Sequence, residues 1–213
     1  ERGIGRPHAQ VPRAFDNRAH LRREIGYSLL SVGVFALINA ALYGYGWVHA
    51  SQLYYRWDDY PLWWVPVSIF LMLVLHDSLF YWVHRAMHTP FWYRRLHDVH
   101  HRSVYPTAFA TYSFQPSEAL VEGLIVTAVI FLVPTHLMAF LVFQFISTAY
   151  NVYGHCGREL YPRGQPDHWL GRWLNTSTLH AGHHYWRRGN YGLYFTFWDR
   201  AMGTLRQPEP ARA

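Results

Sequence analysis

The 213-residue chain contains no lysine and one cysteine, Cys156. A single cysteine excludes an intrachain disulfide and a zinc site built from cysteines. With lysine missing, arginine supplies all 19 basic side chains, a bias of genome composition rather than of mechanism. Charge is scarce at 15%, against 51% hydrophobic and 18% aromatic residues. A net charge of +6 is compatible with nucleic acid, but the apolar content and the placement of the arginines favour a membrane surface, with no nucleic acid as partner. No flavin, nicotinamide or iron–sulfur motif is visible, and no repeat beyond a recurring histidine pattern. No cleavable signal peptide is expected, since a basic stretch with proline precedes the first apolar run without a short apolar core and cleavage site of its own.

Four apolar stretches are present: Tyr27–Val48, Leu62–Val83, Ala119–Val133 and Leu137–Val152. The first two reach the ~20 residues that cross a bilayer as a helix. The last two read as a helical hairpin turning at Pro134, with the first arm starting near Pro116. The expectation is four spans at about 27–48, 62–83, 116–133 and 136–153, within a main domain 27–208. An interfacial segment 1–26 precedes it and a tail 209–213 follows. A soluble all-α bundle is the competing reading.

Arg22, Arg23, Arg85, Arg94, Arg95, Arg102, Arg187 and Arg188 all fall on one side of such a topology, and only Arg56 on the other. The positive-inside rule makes the first side cytoplasmic. The opposite side collects an aromatic belt that includes Trp47, Trp57, Trp63 and Trp64.

Histidine clusters on the arginine-rich side. "HRAMH" sets His84 and His88 four apart; "HDVHH" supplies His97, His100 and His101; "HAGHH" supplies His180, His183 and His184. Residues three and four apart share a helix face, so two imidazoles reach one metal without bending the helix. His155, closing the fourth span, is the ninth candidate. Nine imidazoles exceed one ion's capacity, so two metals are the natural count. Clustered histidines can also sense pH, but that role does not require the repeated spacing. All-nitrogen sites suit zinc, copper, iron or nickel, and ligand type alone does not choose.

Asp77 lies seven residues before His84, on nearly the same helix face. A carboxylate inside a span is costly and usually serves a site, so Asp77 is the first candidate to hydrogen-bond a ligating imidazole from behind. Asn151 and Asn175 are weaker candidates for that role. His76 is read as packing or support. His168 and Glu159 stay undecided, Glu159 leaning towards the surface. Asp199 and Arg200 are expected to pair within an aromatic C-terminal clamp. Phe80, Tyr81, Phe140, Phe143 and Phe145 are read as helix packing or the walls of a lipid site, with packing favoured.

The three histidine boxes, with "FYWVHRAMH", "HHRSVYPTAFATYSFQPSEAL" and "NTSTLHAGHHYWRRGNYGLYFTFWDRAMGT", resemble the fatty acid hydroxylase/sterol desaturase superfamily of membrane di-iron oxidases, most closely its sterol C5-desaturase branch. The likeness runs from about Arg23 to Pro208. Unlike in some members, no fused haem-binding HPGG element and no lysine-based retrieval signal are expected, since neither motif occurs in these 213 residues.

The resemblance implies an all-α integral membrane protein of about four transmembrane helices, with a histidine-rich cytoplasmic helical cap holding a di-metal site. It implies two iron ions (zinc in isolated samples), O2 as co-substrate, and an external ferredoxin- or cytochrome b5-like electron donor. The implied reaction hydroxylates or desaturates an unactivated C–H bond of a sterol-like, other polycyclic or fatty acyl lipid. The implied location is the inner membrane of a bacterium or the endoplasmic reticulum of a eukaryote. The alternatives are a membrane zinc-dependent hydrolase and a non-enzymatic metal-binding or transport protein.

Overall fold

The computed structural model describes residues 6–7, 18–162 and 168–207. The tail 209–213 and most of the N-terminal segment, 1–5 and 8–17, lie outside the described residues.

Four long helices set the architecture: α1 (Arg18–Gly44), α2 (Trp64–Met87), α5 (Pro116–Leu132) and α6 (Leu137–His155). Proline sets several of their limits, because the residue before proline is pushed out of the helical region. Thr89 is extended before Pro90, Gln115 before Pro116, and Val133 before Pro134. Pro90 and Pro116 then open the next helices at positions where a missing N–H costs nothing. Between α2 and α5 the chain forms α3 (Pro90–Trp92), a π-helical turn Tyr93–His97, and α4 (Asp98–His101). After α6 come α7 (Ser177–Trp186) and α8 (Phe197–Ala201). The few strands are two residues long. β2 (Leu53–Tyr54) pairs in parallel with β3 (Thr135–His136), tying together the loops at the end of the bundle away from the histidines. β1 (Arg6–Pro7) pairs antiparallel with β4 (Arg158–Glu159).

The bundle is turned inside out relative to a water-soluble protein. Large apolar side chains face outward, with Leu37 71% exposed and Phe145 75%. Polar ones are enclosed: Glu24, Ser31, Ser68 and Asp77 have no exposed surface. Lipid rather than water outside explains that order. Three helices, α1, α2 and α6, are long and apolar enough to cross a membrane, which marks a membrane protein. At 17 residues α5 is shorter.

The first span departs from the expected 27–48. Its helix begins at Arg18, because the polar stretch before Tyr27 is satisfied in place. Glu24 accepts from Thr107 Oγ1 at 2.5 Å and lies 2.8 Å from His20 Nε2, and Arg23 donates to Ser103 Oγ. The helix ends at Gly44, and Gly46 takes the left-handed turn (φ 71°) that sends the chain back. Where α1 meets α5, Gly123 permits the approach: a Cβ there would collide with Cδ1 of Ile38.

On α2, Ser68, Met72, His76 and His84 are buried at intervals that are multiples of four, so one enclosed face, polar at Ser68, His76 and His84, runs down the helix towards the histidine end. Met72 meets Val129, Val133, Ala139 and Phe143 in the core of the bundle.

Candidate metal centre

Four helices and the π-turn deliver histidine at the arginine-rich end. His84 and His88 close α2, His97 ends the π-turn, and His100 and His101 lie on α4. His155 ends α6, and His180, His183 and His184 lie on α7. Thr176 caps α7, its side chain accepting from Leu179 N. The wider π-turn carries the chain from His88 to His97, and both rings come to 4.8 Å between centroids. Arg94 and Arg95 stay exposed on that turn while His97 is buried.

The nine side chains fall into two groups, His84, His88, His97, His101 and His183 in one, His100, His155, His180 and His184 in the other. Within each group, one nitrogen per ring lies within 4.8 Å of all the others. Each four-apart pair stays together: 84 with 88, 97 with 101, 180 with 184. Their neighbours cross over, His100 to the second group and His183 to the first. Adjacent residues on a helix point ~100° apart, so each HH pair serves both groups. The groups adjoin, with the His101 and His184 rings 4.8 Å apart.

Proton placement tests whether metal fits. His84 Nδ1 donates to Tyr191 O at 2.9 Å, His97 Nδ1 to Glu118 Oε1 at 2.5 Å, His155 Nδ1 to Asn151 O at 2.8 Å and His183 Nδ1 to Gly189 O at 2.7 Å. A proton on Nδ1 leaves Nε2 as a lone pair in the neutral ring. The Nε2 atoms of His84 and His97 then face each other at 3.0 Å with nothing to share. His155 Nε2 faces those of His180 and His184 at 3.0 and 3.2 Å, and His183 Nε2 faces His101 Nε2 at 3.0 Å. Between His84 and His97, two buried lone pairs at that spacing repel unless a cation lies between them, whereas Nδ1 of His101 and His184 has no partner and leaves those rings free to take either tautomer. Nitrogens bound ~2.1 Å from one ion are about 3 Å apart when adjacent, so the donor set fits a metal ion in each group. Burial, followed by the neighbouring imidazoles, holds His97, His100, His101, His180, His183 and His184 well below the usual histidine range. They are therefore neutral, as metal ligands must be.

The sequence reading needs correction behind the imidazoles. Asp77 touches none of them: its Oδ1 accepts the backbone N–H groups of Leu193, Tyr194 and Phe195 at 2.9, 2.6 and 3.2 Å. It anchors the loop whose Tyr191 carbonyl holds His84, and so acts one step further back. Asn175 grips the same loop, Nδ2 donating to Gly192 O and Leu193 O. Asn151 serves His155 through its backbone carbonyl, not its side chain. Asp199 does not pair with Arg200; it accepts from Tyr191 N and Gly192 N, while Arg200 donates to Arg172 O. Glu159 accepts from Tyr153, Thr178 and Tyr161 N and reaches no imidazole. His76 bonds Tyr194 OH at 2.7 Å, and His168 Nδ1 accepts from Leu170 N. Phe145 faces outward, Tyr81 and Phe143 are buried, and Phe80 and Phe140 line a cavity.

The carboxylate that does stand behind a histidine is Glu118, fully buried on the first turn of α5. Sequence reasoning missed it. The available signal was an acidic residue two after Pro116, at the start of an apolar run that leaves the histidine end.

The model of the fatty acid hydroxylase family matches residues 69–204. A Delta(7)-sterol 5(6)-desaturase of Aspergillus fumigatus is 32% identical over 206 residues, covering 90% of this chain and 55% of that protein. The lathosterol oxidases of Mus musculus and Homo sapiens are 32% and 30% identical, covering 84% and 88% of this chain. The chain spans 57% and 62% of the lengths of those two relatives. No solved structure matches.

Proposed function

The chain belongs to the fatty acid hydroxylase family, and from that premise we propose that it is a multi-pass membrane oxidase. The reaction read here is hydroxylation or desaturation of an unactivated C–H bond in a sterol-like, other polycyclic or fatty acyl lipid. The observation that carries this is the pair of imidazole groups whose ring nitrogens converge. His84, His88, His97, His101 and His183 would hold one iron ion, and His100, His155, His180 and His184 the other. Bound there, the two ions would supply the redox chemistry that turns O2 against a C–H bond, with electrons from an external donor.

The chain's own residues hold that chemistry in position. Backbone carbonyls at Tyr191, Gly189 and Asn151, and the Glu118 carboxylate, fix the proton on Nδ1 and so aim four Nε2 atoms inward. Asp77, Asn175 and Asp199 keep the 191–195 loop in place against α2 and α7. Tyr191 packs its ring on His84, His88 and His183 and helps exclude water.

Four spans, α1, α2, α5 and α6, put the histidines on the cytoplasmic side with the exposed Arg94, Arg95, Arg187 and Arg188, a surface suited to an acidic donor or lipid headgroups. At 17 residues α5 extends ~25 Å, near the ~30 Å apolar core.

The test is protein loaded anaerobically with ferrous iron. The expected result is two irons per chain, O2 uptake on adding lipid and reductant, and a product that has gained one oxygen atom or lost two hydrogens. Turnover without O2, with zinc bound, would instead identify a hydrolase.

A further inference from the structure

Between α1, α2, α5 and α6 lies a cavity of about 330 Å³, a volume within the usual range of ligand pockets. Its walls are mostly apolar, yet Glu122 and Gln144 stand in it with acceptor atoms that no described residue engages. Glu122 lines the cavity at 9% exposure and makes no hydrogen bond among the described residues. Gln144 lines it from α6, and its Oε1 is buried and unpartnered. Both present acceptors to the cavity, and a buried acceptor without a donor, as at Gln144 Oε1, is costly enough that native proteins seldom keep one without a use.

The cavity also abuts the histidines. Phe80 in its wall packs on His84 at 4.9 Å between ring centroids, and Phe114 on His100 at 5.1 Å. Glu122 stands one helical turn, ~6 Å along α5, from the Glu118 that holds His97.

We propose that Glu122 and Gln144 are the polar pole of this cavity and select a lipid by its hydroxyl group. An O–H donates to either acceptor, while the apolar body of the lipid fills the space between the helices. The hydroxyl is thereby held near the metal ligands, which sets which carbons of the lipid lie closest to them. The inference rests on the oxidase reading only for its consequence in turnover; binding itself does not require it.

The experiment uses the full chain, metal-loaded in nanodiscs, with two probe pairs: a radiolabelled sterol and its O-methyl ether, and a long-chain alkanol and its O-methyl ether. The wild type is expected to bind the alcohol of at least one pair about tenfold or more tightly than the ether. Glu122→Met and Gln144→Met should remove that preference by weakening alcohol binding, and Glu122→Gln should keep most of it. Metal content equal to wild type serves as the check on folding. An alcohol preference unchanged in both methionine variants, or its absence in the wild type, overturns the proposal. An alcohol bound with the expected preference but never oxidised leaves this assignment standing and removes the oxidase reading.

Discussion

Replacing Glu118 tests the construction of the centre at one atom. Its Oε1 lies 2.5 Å from His97 Nδ1, and both side chains are enclosed. Glu118→Met leaves the volume nearly filled but strands the Nδ1 proton of His97 without an acceptor. A buried donor left without its acceptor costs ~1–3 kcal/mol, which at ~1.4 kcal/mol per decade is about 5- to 100-fold in affinity. A similar range is typical when the hydrogen-bond partner of a ligating histidine is removed. Because His97 belongs to the five-histidine group alone, the loss should be confined to one of two binding steps. A competitive titration with a chelator of known affinity reads both steps, with Glu118→Gln, which still accepts from Nδ1, expected between wild type and Glu118→Met. Two unchanged steps in a variant that melts like the wild type would refute the reasoning, as would weakening of the four-histidine step alone.

His100→Ala is expected to empty the four-histidine group and His84→Ala the five-histidine group, read as metal per chain; full occupancy in either variant rejects that ligand. Asp77→Ala leaves three backbone N–H groups unpaired and should cost on the order of 3 kcal/mol or more in thermal or denaturant unfolding. Burial would raise the Glu159 carboxyl, but hydrogen bonds from Thr178 and Tyr153, with backbone N–H groups, hold it below its usual range. A folded-state value below the unfolded one means that Glu159 stabilises the fold above the ordinary carboxylate pKa and loses this as pH falls through the lowered value. The Tm gap between wild type and Glu159→Gln should therefore be full near neutral pH and shrink in acid; a gap that widens in acid contradicts it. Gly123→Leu should separate α1 from α5 and lower stability by ~1–3 kcal/mol in the same unfolding assays.

Apolar length and histidine spacing are both local properties, so they were legible. The four-apart pairs can be read directly, because helical periodicity alone brings His84 to His88 and His180 to His184. What stands behind the rings is not local. Asp77 shares a helix face with His84, but the 193–195 backbone, more than a hundred residues away, reaches its carboxylate first. Glu118 was hidden for the same reason: its partner is set by how α5 enters the bundle, which no spacing encodes. The start of α1 was misjudged because charge in "RAHLRRE" reads as exposed, and only the fold supplies Thr107 to Glu24 and Ser103 to Arg23.

Each of the short helices α4 and α7 contributes ligands to both histidine groups. Neither helix can turn to improve one group without dragging nitrogens out of the other. An ion in one group therefore steadies the frame of its neighbour, although each group keeps its own ligands and its own binding step. The paired histidines thus act as a mechanical linkage between two separately filled positions.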